Sequence, residues 1–137
     1  RDLPAEVIDA LCRELEELRQ VTDLRLRSNA LGPAGSRALS GVLPMLVRLK
    51  VLDLHTNALG PEGAAVLCPA LGELSGLEFL SMEENSLGPA GAAHLASALE
   101  KLLRLNDLAL TDNALGPEGA EVLCGPVGQL TMLQGLT

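Results

Sequence analysis

The chain has 137 residues, 47% of them hydrophobic, a single aromatic residue (Phe79) and a formal charge of −8 from 10 basic and 18 acidic side chains. A chain this acidic, with no block of Lys or Arg, has little with which to neutralise phosphates or dock on anionic lipid, so nucleic acid and membrane surfaces are excluded as partners. No apolar run approaches the roughly 18 residues of a membrane span, and the hydrophobic content must instead form a core.

The first segment, Leu3 to Gln20, reads as the tail of an incomplete repeat. Its Leu11, Leu15, Leu18 and Val21 align with Leu39, Leu43, Leu46 and Leu49 further on, while Val7 stands where later repeats have glycine. Arg13, Glu14, Glu16, Glu17 and Arg19 on its other face read as a solvated, capping outer turn. Next, Leu24-Arg25-Leu26-Arg27 alternates inward leucines with outward polar residues, the period of two of a β-strand. Ser28-Asn29-Ala30-Leu31-Gly32-Pro33 follows as a turn leading into a helix, with glycine at the cap and proline in the first turn, where its missing N–H costs nothing. That helix is expected to face the strands with Leu39 and Leu43.

The stretch Leu24 to Gly35 then returns as Leu52 to Gly63, Leu80 to Gly91 and Leu108 to Gly119, each 28 residues after the last and without insertions. Such strict self-similarity is the signature of a solenoid. The equivalent helix positions are Leu67 and Leu71, Leu95 and Leu99, and Leu123 and Val127. The repeat boundaries are expected at 1–28 (partial or capping), 29–56, 57–84 and 85–112 (full) and 113–137 (truncated), forming one domain. Leu133 and Leu136 begin a fifth strand. Both ends are expected to be cut from a longer protein, leaving sheet edges through which the solenoid could self-associate.

Asn29, Asn57, Asn85 and Asn113 hold one phase of the repeat. A turn leaving a parallel strand has backbone groups without ladder partners, and an amide offers both a donor and an acceptor to satisfy them, so this column is expected to be structural. A longer period lies on top: Pro-Ala-Gly at Pro33 and Pro89 alternates with Pro-Glu-Gly at Pro61 and Pro117, implying a 56-residue unit. The Glu-type repeats carry Pro69 and Pro126 after their cysteines, and their helices are expected to be short or kinked. Cys12, Cys68 and Cys124 share one phase on alternate helices, roughly 20 Å apart, beyond disulfide reach. They are expected to stay thiols, which favours a cytoplasmic setting.

The pattern LxLxxNxLGPxG followed by a leucine-spaced amphipathic run resembles the leucine-rich repeat of the ribonuclease-inhibitor type, over nearly the whole chain. Similar repeats occur in ribonuclease inhibitors, Ran GTPase-activating proteins and NOD-like innate immune receptors. The resemblance implies an α/β horseshoe segment with a parallel β-sheet on its concave face and helices on its convex face. It also implies a non-enzymatic protein–protein interaction module, although function varies among such proteins.

No catalytic constellation emerges from the residues. His55 and His94 fall in different phases, on a strand and on a helix, with His94 at a phase otherwise held by Ala38, Val66 and Val122. There is no CxxC, no HExxH, and no phosphate loop, because the Gly-Pro-x-Gly motif lacks a following Lys-Ser/Thr. No cofactor or metal is expected. Glu83, Glu84 and Asp112 are a remote calcium alternative, since strand carboxylates rarely supply the 6–8 oxygens that ion needs.

The outward strand positions form four columns: Asp23, Val51, Phe79 and Asp107; Arg25, Asp53, Ser81 and Ala109; Arg27, His55, Glu83 and Thr111; and Ser28, Thr56, Glu84 and Asp112. Arg25 and Arg27 make the first strand basic, Glu83, Glu84, Asp107 and Asp112 make the later ones acidic, and Val51 with Phe79 forms an apolar spot between them. One reading is a docking face for a protein partner, with an anchor at the centre and charges at the rim. The plainer reading is a solvated surface on which Arg25 pairs with Asp53, worth ~0.5 kcal/mol. A regulator of a small GTPase, similar to the Ran activator, and a passive spacer are the competing functions.

Overall fold

The computed structural model describes residues 5–17 and 19–137, without the side chains of 5, 8 and 15–17. The start of the first segment at Leu3, the alignment expected for Leu15 and Leu18 and the outer face expected for Glu16 and Glu17 lie outside what is described. Helices and strands alternate strictly: α1 (Ala5–Glu17), β1 (Asp23–Arg25), α2 (Gly32–Val42), β2 (Val51–Asp53), α3 (Gly60–Leu71), β3 (Phe79–Ser81), α4 (Gly88–Leu99), β4 (Asp107–Ala109), α5 (Gly116–Gly128) and β5 (Gly135–Leu136), with a 3₁₀ turn at Leu43–Met45 after α2. The strands form one parallel sheet in chain order, β1-β2-β3-β4-β5. Each residue pairs with the one 28 positions on, as in Asp23 with Val51 and Val51 with Phe79. This is the expected α/β repeat solenoid.

The core lies between sheet and helices. Strand leucines such as Leu52, Leu54 and Leu80, helix leucines such as Leu39, Leu67 and Leu95, and connecting-loop leucines such as Leu49, Leu77 and Leu105 are all buried in one continuous cluster. Burying each such side chain contributes roughly 1.5–3 kcal/mol, offset by the entropy of ordering the chain. Phe79, the one aromatic residue, is not in this cluster and is half-buried on the other side of the sheet. Among the described residues no helix is long and apolar enough to cross a membrane.

The turns differ from expectation in one detail. The helix cap is the leucine before each glycine, as where Gly63 N–H donates to the Leu59 carbonyl at 3.0 Å. The glycine comes next, at φ +64 for Gly60, a left-handed conformation that redirects the chain into the helix and that side chains with a Cβ adopt at a cost of roughly 1–2 kcal/mol. The second glycine of the motif is there for space. A Cβ at Gly63 would sit 2.7 Å from Ser36 Oγ on the preceding helix, and one at Gly91 would sit 2.8 Å from Leu87 Cβ and 3.5 Å from Ala64 Cβ. Val7 occupies this phase on α1, where no described helix precedes it, and is exposed.

The Glu-type helices are not short. Helices α3 and α5 have 12 and 13 residues, against 11 and 12 in α2 and α4, and each contains its proline. Pro69 and Pro126 fall in the last turn of their helices, where each withholds one intrahelical N–H and crowds the carbonyl four residues back without shortening the helix. The inter-repeat ladder also outruns the formal strands: Ser28 N–H donates to His55 O at 2.9 Å, Thr56 N–H to Glu83 O at 2.9 Å and Glu84 N–H to Thr111 O at 3.0 Å. This keeps the outer columns of the sheet face in register through the start of each turn.

Candidate functional site

The candidate site is the sheet face that carries no helices. Its middle columns are set by the strand pairing: Val51 lies beside Phe79, and Arg25, Asp53, Ser81 and Ala109 follow one another across the strands. Val51 and Phe79 are both half-buried and adjacent, flanked in register by the exposed Asp23 and Asp107. A small apolar patch is thus bounded by carboxylates.

Two of the outward positions are covered rather than solvated. Asp53 retains 8% of its surface and Ser81 1%, which makes them the buried polar residues of this face. The carboxylate of Asp53 is held from two sides. Its Oδ1 accepts the backbone N–H of His55 at 3.1 Å, and its Oδ2 lies 3.5 Å from Nε of Arg27. The expected Arg25–Asp53 pair does not form. Arg25 turns back along its own strand to Asp23 at 3.6 Å, and Arg27, two residues further on, reaches diagonally across to Asp53. Both arginines are more than half exposed, so each pair contributes about 0–1 kcal/mol.

His55 is the hinge between the basic and acidic halves. Its Nε2 lies 3.3 Å from Glu84 Oε1, and its Nδ1 lies 3.2 Å from Glu83 Oε2 but makes no hydrogen bond there. A neutral imidazole donates at one nitrogen, so it serves one carboxylate at a time. Glu83 also accepts from Ser81 Oγ at 3.4 Å, and Glu84 from Thr56 Oγ1 at 3.3 Å. Asp107 and Asp112 are exposed, and their side chains make no hydrogen bond or ion pair among the described residues. The face therefore brings together Asp53, His55, Ser81, Glu83 and Glu84 in one network with Arg27, while Arg25, Asp107 and Asp112 stand at its edges. No three metal-ligating side chains converge as an ion site among the described residues, and Glu83, Glu84 and Asp112 form no such group.

The asparagines stand under this face. Each of Asn57, Asn85 and Asn113 accepts, through its Oδ1, the backbone N–H of the asparagine and of the leucine two residues on in the preceding repeat, as with Asn29 at 3.0 Å and Leu31 at 3.4 Å for Asn57. Each Nδ2 donates to carbonyls of its own repeat and of the preceding one, as Asn57 does to Leu54 at 2.9 Å and Leu26 at 2.8 Å. The amides thus join consecutive turns. Asn29 has only a bond to the Arg27 carbonyl at 3.1 Å from its side chain.

On the helix side, Cys68 is buried and its thiol is pushed up to about 12 by desolvation, whereas Cys124 is exposed. A thiol so disfavoured as thiolate is not a nucleophile. His94 is exposed on α4, across the repeat layer from His55.

A family model of the leucine-rich repeat matches residues 49–68 and 104–124. No curated protein matches the chain. Among solved structures, the chain is similar to leiomodin-1 actin-binding site 2, with a TM-score of 0.78 and 13% identity over 95% of this chain and 78% of that one. A likeness at that identity concerns the fold.

Proposed function

We propose that this leucine-rich repeat solenoid is a non-enzymatic module that binds a protein partner on its concave sheet face, with repeats of the ribonuclease-inhibitor type and an intracellular, cytoplasmic setting as in NOD-like receptor domains. The observation that carries the reading is the side-by-side placement of Val51 and Phe79, half-buried on a sheet face without covering helices and bounded by charges of known sign. Apolar area at the centre supplies affinity, and Arg25 and Arg27 on one side against Glu83, Glu84, Asp107 and Asp112 on the other orient the partner. Actin, the ligand named for the leiomodin domain, is a natural first partner to assay, although the likeness is one of fold.

The test compares proteins retained from cytosolic lysate by the wild-type chain, by Phe79→Ala and Glu83→Lys on the sheet face, and by His94→Glu on the helix side. A protein retained by the wild type and His94→Glu but lost from the sheet-face variants supports the reading. Equal retention by all four moves the binding surface elsewhere. A regulator of a small GTPase would need a basic residue at the strand ends, and Arg27 is engaged with Asp53. Stimulated GTP hydrolysis that is lost in Arg27→Ala would replace the binding-only reading with that one.

A further inference from the structure

The rim formed by the helix-to-strand loops carries a second surface, independent of the sheet face. Here the sequence Leu46-Val47-Arg48-Leu49 returns 56 residues later as Leu102-Leu103-Arg104-Leu105, while the repeat between them has Ser75-Gly76 in place of the aliphatic residue and the arginine. The flanking leucines are core: Leu46, Leu49, Leu102 and Leu105 are all at most 1% exposed. The residues between them point outward, with Val47 76% and Leu103 54% exposed, two of the largest apolar exposures on the molecule. A leucine core needs neither an aliphatic residue nor an arginine at these positions, as Ser75 and Gly76 show.

The missing side chain at Gly76 opens a groove between the two arginines. It has a volume of about 370 Å³ and is lined by Val47, Arg48, Gly76, Arg104 and the paired Lys50 and Glu78. A Cβ at Gly76 would meet nothing nearer than the Leu49 carbonyl at 3.8 Å, so the backbone there tolerates a side chain and the space is simply unfilled. Lys50 Nζ and Glu78 Oε1 are 3.1 Å apart and neutralise each other. Among the described residues the two guanidiniums have no such partner: Arg48 bonds the neutral Gln20 amide at 2.6 Å and no carboxylate, and Arg104 is exposed with no hydrogen bond or ion pair from its side chain. In a molecule of charge −8, two unpaired arginines facing one groove beside exposed aliphatic side chains mark a local reversal of charge.

We infer that this rim groove binds an extended acidic peptide segment of a partner protein, with two carboxylates held by Arg48 and Arg104 and an aliphatic residue between them resting over Gly76 against Val47. The spacing is consistent. Two repeats separate the arginines, roughly 10 Å at the ~4.8 Å of parallel strands, and residues three apart on one side of an extended polyproline-type chain are about 9 Å apart. Arginine is suited to the role because its planar fork binds carboxylates in two-point fashion. A groove of this volume admits one chain, and the overall charge of −8 disfavours a flat anionic bilayer, which would meet more of the molecule than the groove.

The experiment uses the full chain and a labelled, end-blocked peptide Ser-Glu-Pro-Val-Glu-Pro-Ser, followed by fluorescence anisotropy. Saturable binding is expected, weakened at least tenfold by Arg48→Glu combined with Arg104→Glu, and equally by Gly76→Leu, which keeps both arginines and fills the groove. The peptide with both glutamates replaced by glutamine should bind at least tenfold more weakly, and Phe79→Ala should bind like wild type, which separates this surface from the sheet face. Circular dichroism checks that each variant is folded. Absence of saturable binding at millimolar peptide, or binding that survives both the double arginine variant and Gly76→Leu, overturns the inference. So does arginine-dependent binding of phosphatidylserine-containing vesicles that displaces the peptide, because the rim would then be a lipid surface.

Discussion

At the scale of single residues, the asparagine column couples one repeat to the next. Asn57 is fully buried and reaches five backbone groups: two N–H donors through its oxygen, from Asn29 and Leu31, and the carbonyls of Leu26, Leu54 and His55, which share the two hydrogens of its nitrogen. Replacing it by alanine takes the partner from the N–H groups of Asn29 and Leu31 and from the Leu26 carbonyl, while Leu54 O keeps the Asn85 amide and His55 O keeps the Ser28 N–H, at roughly 1–3 kcal/mol for each group left fully unsatisfied. Asn57→Ala is therefore expected to lower stability by at least about 1–3 kcal/mol, visible as a drop of several degrees in a thermal melt. Asn29 provides the internal control. Its side chain makes a single bond, to Arg27 O, so Asn29→Ala should cost about 1 kcal/mol or less. Equal melting temperatures for the two variants would show that the amide ladder does not hold the turns. The same turns carry non-glycine residues at positive φ, Thr56 at +54° and Ala58 at +52°, in the conformation that this ladder and the bond from Gly60 N–H to Asn85 O hold in place.

At the scale of the element, each helix packs a leucine face inward, and the burial of Cys68 beside that face in α3 follows from it. Cys68 lies in α3 at 2% exposure with its thiol pushed up from 9.0 to about 12 by desolvation, so at a given pH its thiolate is on the order of a thousandfold scarcer. Because the folded value is raised, its contribution to stability is present below pH 9 and is lost as pH rises from there towards 12, while the unfolded chain gains thiolate. Iodoacetamide at neutral pH should accordingly modify the exposed Cys124 well before Cys68, and the intact mass after air exposure should show no two-proton loss. Comparable labelling rates would mean that α3 opens readily. The periodic features were legible in the sequence because each is forced 28 residues apart: inward leucines, turn asparagines and the outward columns all fall in the strands and turns they imply. Pairing was not legible. Arg27 takes Asp53 and Arg25 takes Asp23, since a long side chain reaches along or diagonally across strands and composition by column cannot say which. The burial of Ser81 and Asp53 escaped for a similar reason, because alternation assigns a face but says nothing of how neighbours on that face cover one another. The rim groove had a signal, the return of Leu-Val-Arg-Leu as Leu-Leu-Arg-Leu, which strand-centred reading passes over because it lies in the loops.

At the scale of the whole molecule, stability comes from interfaces between neighbouring repeats, and the 137 residues taken by themselves offer the last described turn no following interface. In the internal repeats, the N–H groups of the residues equivalent to Asp112, Asn113, Leu115 and Gly116 are bonded to the next turn: Glu84 to Thr111 O, Asn85 and Leu87 to Asn113 Oδ1, and Gly88 to Asn113 O. In the last described turn those four groups make no such bond among the described residues. Beside them, Leu110, Leu115, Leu123, Val127 and Leu136 line an apolar hollow of about 330 Å³, and Leu136 is 55% exposed although its counterpart Leu108 in β4 is buried. Apolar surface and unpaired donors on one face make a site for edge-to-edge association. Fusing after Thr137 one repeat with leucines in the core phases, an asparagine in the turn phase and a polar outer helix would supply both complements at once. The expected result is a higher melting temperature, by several degrees if one inter-repeat interface of a few kcal/mol is added, and less self-association in sedimentation. A cap in which that asparagine is replaced by alanine should recover only part of the gain, because it covers the hollow but leaves the donors of Asn113 and Leu115 unmatched. If the capped and uncapped chains melt together and both sediment as monomers at high concentration, the last repeat is stable without a neighbour, and the inter-repeat bonds contribute less than their number suggests.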